Sequence, residues 1–281
     1  MTPTSGPRRA AVLGSPIAHS LSPALHLAAY RELGLSGWRY ERHQVDEAGL
    51  RGFIEGLDVA GDGWAGLSLT MPLKRAVIPL LDEISPTARS VEAVNTLVFQ
   101  ADGARYGDNT DIPGLVAALR ERGVEKVSRA SVLGAGATAS SALAALAEVC
   151  PGGEVVAYVR GEQRAREVRE LGASLGVAVT AAPWRERARA FDAELTIATT
   201  PAGSTDDLAD SVPASPGVLF DVLYDPWPTR LAAAWSARGG AVVNGLDLLV
   251  HQAVLQVEQF TGVTPAPLAA MRAAGERELA S

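Results

Sequence analysis

Cysteine is almost absent from this sequence: Cys150 is the single thiol among 281 residues. That excludes an intrachain disulfide and argues against a cysteine-based metal site. Histidine is scarce too. His19, His26, His43 and His251 are the whole set, and no HExxH or comparable spacing relates them, so no metal centre is expected. There is no block of basic residues. The 25 lysines and arginines are scattered and the formal charge is −7, which disfavours a nucleic-acid groove or a site for an anionic membrane. No hydrophobic run reaches the length of a membrane span. The opening PRRAAVLGSPIAHS sets two arginines before an apolar patch, as an export signal does, but AAVLG is too short for the apolar core of such a signal and reads as a first strand. The expected location is the cytoplasm. The expected partner is a small molecule, not nucleic acid or membrane, taken by a monomer or homodimer.

What is present suits a folded enzyme. Hydrophobic residues make up 47 % and charged residues 20 %, enough to build a core and too apolar for disorder. Short apolar runs alternate with helical periodicity nearly throughout, which predicts an α/β fold with mostly parallel sheets. Strands are expected at 10–13, 38–41, 65–69 and 97–99, and helices at 23–33, 47–56, 74–81, 86–91 and 112–122. A second series has strands at 131–133, 154–159, 177–180, 195–198, 218–221 and 241–243, with a helix to about 149 after the first. Two final helices are expected at 246–260 and 267–279. The organisation that follows is two domains. One comprises 1–112, which the final helices, 246–281, could return to and complete; the other, 113–245, is of the Rossmann dinucleotide-binding type.

The second series opens on Gly134-Ala135-Gly136-Ala137-Thr138-Ala139, a G-x-G-x-x-A pattern between a strand and a helix. Gly134 permits the tight turn, Gly136 admits a pyrophosphate close to the backbone, and Ala139 allows the helix to pack on the sheet. The helix start then offers unpaired N–H groups to phosphates. The next strand ends AYVRGEQR. Arg160 and Arg164 suit a 2′-phosphate and favour NADP. Glu162, between them, could instead face a ribose and leaves NAD open.

In the first domain, GSPIAHSLSPALH places Ser20 and Ser22 on one side of a turn. Pro23 suits the first turn of a helix, so Ser22 is either its N-cap or a ligand-binding hydroxyl; Ser20 has no evident capping role. GLSLTMPLK carries Thr70 and Lys74 beyond a strand's carboxyl end, where open α/β sheets place ligands. A cation in a helix's first turn opposes the macrodipole, so Lys74 is either solvated or set against an anion or substrate. EAVNT and GDNTD put Asn95 and Asp111 beside strand ends. Asp111 either caps the following helix or pairs with Lys74, and such a pair can move a proton to or from an oxygen that exchanges hydride with a nicotinamide.

These motifs in this order resemble the shikimate dehydrogenase family. Gly14 to His26 follows G-x-P-I-x-H-S-x-S-P-x-x-H, and GLSLTMPLK follows G-x-N-V-T-x-P-x-K. A-V-N-T and G-x-N-T-D stand at 93–96 and 107–111, and DVLYDPWPT and GLDLLVHQA match later motifs. The resemblance implies reversible, NADPH-dependent reduction of 3-dehydroshikimate to shikimate in chorismate and aromatic amino-acid biosynthesis, with the substrate between two domains. It implies that Ser20, Ser22 and Tyr224 hold the carboxylate and that Thr70, Lys74, Asn95, Asp111 and Gln252 bond the ring oxygens. Lys74 and Asp111 are the implied catalytic pair, with Val222 and Gly245 beside the nicotinamide. The chain departs from the pattern at Ser68 (usually Asn), Leu248 (Met), Leu27 (Asn), Ala137 (Gly) and Val159-Arg160-Gly161 (N-R-[ST]). The last leaves the adenosine side poorer in polar groups. The alternatives are a paralogue acting on quinate or an aminated analogue with NAD, and, more remotely, a non-catalytic nucleotide-sensing regulator.

Overall fold

The computed structural model describes residues 8–280 and divides them into two compact α/β units. One unit runs to Gly114 and resumes at Leu249, and the other is Leu115–Leu248.

The first unit contains strands β1 (Arg8–Gly14), β2 (Trp38–Gln44), β3 (Trp64–Leu69), β4 (Glu83–Ile84), β5 (Thr96–Phe99) and β6 (Arg105–Asp108). Its helices are α1 (Ser22–Glu32), α2 (Glu47–Glu55), α3 (Leu73–Ala76), α4 (Pro86–Val91) and the start of α5 (Asp111–Glu121). The sheet order is β2-β1-β3-β5-β6-β4. It is a mixed sheet: β1–β2, β1–β3 and β4–β6 are parallel, in line with the expected mostly parallel pairing, whereas β3–β5 and β5–β6 are antiparallel. The cause is local. Asp102 accepts from Ala104 N–H and Gly103 takes φ +88°, so β5 and β6 close as a hairpin, which only antiparallel strands can do. β3 is buried along its whole length, as a central strand covered on both faces should be.

The expected helix 74–81 is shorter. Pro79 cannot donate a backbone bond and disfavours helical geometry in the residue before it. One turn, α3, is therefore followed by a 3₁₀ turn, Ile78–Leu80, closed by Leu80 N–H to Val77 O at 2.8 Å.

The second unit has strands β7 (Arg129–Leu133), β8 (Glu154–Val159), β9 (Val179–Pro183), β10 (Leu195–Ala198), β11 (Val218–Asp221) and β12 (Ala241–Val243), ordered β12-β11-β10-β7-β8-β9 and all parallel. Helices α6 (Ala137–Val149), α7 (Glu162–Leu175) and α8 (Arg230–Ala237) belong to it. This is the doubly wound Rossmann order. β9 begins two residues later than expected. Gly176 ends α7 in the left-handed region and Val177 N–H bonds Gly172 O at 2.8 Å, so Val177 closes the helix instead of opening the strand. Leu133, Leu219, Leu231, Phe191 and Trp235 build the core here, with Phe191 and Trp235 edge to face at 5.0 Å.

Helices α9 (Gly245–Thr261) and α10 (Leu268–Leu279) end the chain. α10 packs on α1. α9 approaches β3 so closely that a Cβ at Gly66 would lie 2.2 Å from Phe260 Cε1; only glycine admits that contact. This seats the Gln252 and Gln256 face of α9 over Ser68 and Thr96, which are register partners on β3 and β5.

Candidate active site

α3 delivers Lys74 and the first residue of α5 is Asp111. Lys74 Nζ lies 2.5 Å from Asp111 Oδ2, with both side chains largely withdrawn from solvent. Asp111 is free to make this pair because Asn109 does the capping: its Oδ1 accepts from the N–H groups of Asp111 at 3.0 Å and Ile112 at 3.2 Å. Of the two roles open to Asp111, the structure realises the pair.

Asn95, at the end of the loop entering β5, organises the rest. Its Nδ2 donates to Asp111 Oδ1 at 2.8 Å, Thr110 Oγ1 at 3.0 Å and Gln252 Oε1 at 3.3 Å. Its Oδ1 accepts from Thr110 N–H and Thr96 Oγ1, each at 2.8 Å. Four of the named residues, Lys74, Asn95, Asp111 and Gln252, thus share one hydrogen-bonded cluster. Both oxygens of Asp111 are engaged, one by an amide and one by an ammonium, an arrangement that holds the carboxylate still and aims the amine.

The serines sit differently from expectation. Ser22 is not the N-cap of α1. It is the first helical residue and is buried, and its backbone N–H donates to Ser20 Oγ at 3.3 Å. Ser20, for which no capping role was evident, therefore tends the helix start, and its carbonyl accepts from Arg42 Nε at 2.8 Å. Ser20 lies in the loop between β1 and α1, and Ser22 opens α1. Thr70, half-buried, bonds through its backbone to Leu13 O and Leu73 N.

Sequence reasoning missed the layer beneath. Tyr40 OH donates to Ser68 Oγ at 2.6 Å, and Ser68 Oγ donates to Gln256 Oε1 at 2.8 Å. His26 stacks on Tyr40 with centroids 3.9 Å apart. Burial holds its imidazole neutral, with its pKa down at about 3, and pushes the Tyr40 phenol well above its usual range. Gln256 was findable: it follows Gln252 by four residues, on the same face of an apolar helix.

In the second unit Tyr224 follows β11. Asp221 anchors that loop, accepting from Thr229 Oγ1 at 2.7 Å and Leu223 N–H at 3.2 Å, and burial raises its carboxyl. Gly245 N–H donates to Leu223 O at 2.9 Å, which sets Gly245 against Val222.

The glycine loop fits a dinucleotide. Gly134 takes φ +123°, a conformation open to glycine. Gly136 is exposed, and a Cβ there would meet nothing within 4 Å. No side chain caps α6, and Ala139 is buried against the sheet. A helix start left open beside empty space is what a pyrophosphate needs. Ala137, which replaces a glycine, is an ordinary helical residue here. At the end of β8, the Arg160 guanidinium lies over the Trp184 ring, 4.9 Å from its centroid. Arg164 pairs with Glu167 at 2.7 Å and Glu162 with Arg169 at 2.6 Å. Two of the three charged groups that bear on the cofactor, Arg164 and Glu162, are thus paired within α7, and Arg160 is left as the cation at the strand end.

Comparison with known proteins fits this arrangement. Residues 12–97 match the model of the shikimate dehydrogenase substrate binding domain, and residues 245–274 that of the shikimate 5′-dehydrogenase C-terminal domain. The chain is 38 % identical over 275 residues to shikimate dehydrogenase (NADP⁺) of Thermus thermophilus, covering 96 % of this chain and 98 % of that one. It belongs to the shikimate dehydrogenase family. Among solved structures of this family, that of the Mycobacterium tuberculosis shikimate dehydrogenase is similar with TM-score 0.88 and 43 % identity, over 96 % of this chain and 100 % of that one. The Thermus thermophilus enzyme in complex with NADP(H) and shikimate matches with TM-score 0.83 and 35 % identity, over 96 % and 99 % of the two chains.

Proposed function

We infer that the protein is a shikimate dehydrogenase, an NADP-dependent oxidoreductase that reversibly reduces 3-dehydroshikimate to shikimate. The observation that carries this is the Lys74–Asp111 pair held by Asn95, which also bonds Gln252, in a chain of this family. The unit that ends at Gly114 and resumes at Leu249 is proposed to bind substrate, and Leu115–Leu248 to bind the cofactor.

Ser20, Ser22 and Tyr224 are proposed to hold the substrate carboxylate, and Thr70, Asn95 and Gln252 its ring oxygens. The amide donors of Asn95 and Gln252 already have acceptors inside the protein, so a substrate oxygen would have to share or displace one of these bonds. Lys74 is proposed to place its ammonium at the reacting oxygen, stabilising negative charge as it develops and passing the proton; Asp111 orients it. The nicotinamide supplies the hydride. Gly134, Ala135, Gly136, Ala137 and Thr138 would receive the pyrophosphate, Arg160 the 2′-phosphate, and Val222 and Gly245 would border the nicotinamide. Arg164, engaged with Glu167, would contribute only by releasing that partner.

The test is steady-state oxidation of shikimate and of quinate, each with NADP⁺ and NAD⁺, followed by nicotinamide absorbance. Shikimate with NADP⁺ should give the highest kcat/KM. A preference for quinate with NAD⁺ would replace this reading with the paralogue.

A further inference from the structure

We propose that Gln256, together with Tyr40 and Ser68, is a positioning residue for the Lys74–Asp111 pair, acting through an uninterrupted buried chain of hydrogen bonds whose donor direction it sets. The inference rests on the reaction proposed above.

The chain starts at Tyr40. Its phenol is buried beneath His26 and is kept protonated by that burial. Its O–H is given to Ser68 Oγ, so the single Ser68 hydrogen is turned to Gln256 Oε1. That fixes the amide of Gln256 one way round. Oε1 faces Ser68, and Nε2 faces the Asn95 carbonyl oxygen at 3.0 Å and Thr96 Oγ1 at 2.9 Å. Thr96, now an acceptor, gives its own hydrogen to Asn95 Oδ1 at 2.8 Å. With Thr110 N–H on the same oxygen, the oxygen side of Asn95 is filled by donors. Its Nδ2 is thereby committed to Asp111 Oδ1, which leaves Oδ2 for Lys74. A hydroxyl or an amide can donate in one direction only once its acceptor role is taken, so one phenol biases every later link. Tyr40, Ser68, Gln256, Thr96 and Asn95 are all less than a tenth exposed, so a lost link is not made good by bulk solvent. In such surroundings a network carries more than its separate bonds suggest.

Two nearly isosteric variants test this. Gln256→Glu keeps the shape and replaces the Nε2 donor with oxygen; Tyr40→Phe keeps the stacked ring and removes one O–H. With shikimate and NADP⁺, kcat should fall at least tenfold in Gln256→Glu and about threefold in Tyr40→Phe, while KM for each substrate stays within twofold. A chain that merely stabilised the fold would lower the unfolding midpoint and leave kcat of the folded variants within twofold of the parent. That outcome, or a rise in KM with kcat intact, would overturn the proposal. A second readout needs no turnover: hydrogen exchange of the Asn95 side-chain amide, assigned by its loss in Asn95→Ser. Exchange should quicken at least tenfold in Gln256→Glu and measurably in Tyr40→Phe. An unchanged rate in both would overturn the proposal as well. Should the parent protein fail to turn over shikimate, the reaction assignment falls while the exchange result still decides the positioning role. If Gln256→Glu does not fold, Tyr40→Phe decides alone by both readouts.

Discussion

The polar cluster of the first unit and the glycine loop of the second solve opposite problems. Around Asn95, donors and acceptors are matched inside the protein: the amide, the carboxylate, two threonines and two glutamines all answer one another. At Gly136 the helix start is left without a side-chain cap and opens on empty space. The first region holds side chains rigid before any ligand arrives, as a group that must act on developing charge requires. The second leaves backbone donors unsatisfied so that an anion can complete them. On the roles proposed for them, the site for chemistry is filled in advance and the site for phosphate is kept open.

The largest expected effect lies in the filled region. Lys74→Ala should lower kcat by about 10³-fold, within the range for a lost general acid or base, and leave NADPH affinity, read by nucleotide fluorescence, nearly intact. Turnover close to the parent's would remove Lys74 from its role, and equal losses in both readouts would erase the division between the regions.

The same filled region should carry an acid sensitivity. His26 has its pKa near 3 in the folded protein, against an ordinary value of 6.5. Between those two values the unfolded chain takes a proton that the folded one refuses. Stability is therefore lost as pH falls from about 6.5, by about 3 kcal/mol at pH 4. Asp221, whose carboxyl is raised by burial, works in the opposite sense. A comparison of His26→Phe with the parent by urea unfolding at pH 7 and pH 4 isolates the histidine. The variant should lose clearly less stability over that interval, and parallel losses would show that His26 is protonated without cost.

In the cofactor region the effect should be smaller and confined to one nucleotide. Arg160→Ala should raise KM for NADP⁺ about tenfold, the order of one charge-assisted contact, and leave KM for NAD⁺ within twofold. An equal rise for both would place Arg160 away from any 2′-phosphate.

Much of this was legible in the sequence because it is written in local pattern. The six strands of the second unit and the glycine turn at 134–139 follow from apolar periodicity and turn residues read over short windows, whereas pattern leaves the return of the final helices open and the family resemblance implies it. What escaped depends on groups distant in the chain. Nothing near Ser22 says that Ser20 answers its N–H. Tyr40, Ser68 and Gln256 lie on β2, β3 and α9, and only the register of the sheet and the seat of Phe260 against Gly66 bring them into line. Ser68 looks like a shortened polar arm in the sequence. In the fold it is the link between a phenol and an amide. The pairing of Arg164 and Glu162 escaped for the converse reason: on an exposed helix each finds a partner within α7, Glu167 and Arg169, and a charge pattern alone does not show which charges are already paired.

Trp184 offers the finest test of the contrast, because it is the one place where the open region borrows the strategy of the filled one. It begins a 3₁₀ segment after β9 and carries Arg160 on its ring at 4.9 Å and Arg187 at 5.0 Å. Arg187 is also paired with Asp207, whereas Arg160 projects from the strand end beside a glycine, with the polar flanks of the family pattern missing. An aromatic platform restricts a flexible guanidinium by about 0.5–1 kcal/mol at an exposed position, which corresponds to a factor of about three. Trp184→Leu should therefore raise KM for NADP⁺ about threefold without changing kcat or KM for NAD⁺. In an Arg160→Ala background the same substitution should have no further effect on KM for NADP⁺, because the ring acts only through the cation it carries. Additive losses in the double variant would mean that Trp184 touches the nucleotide itself.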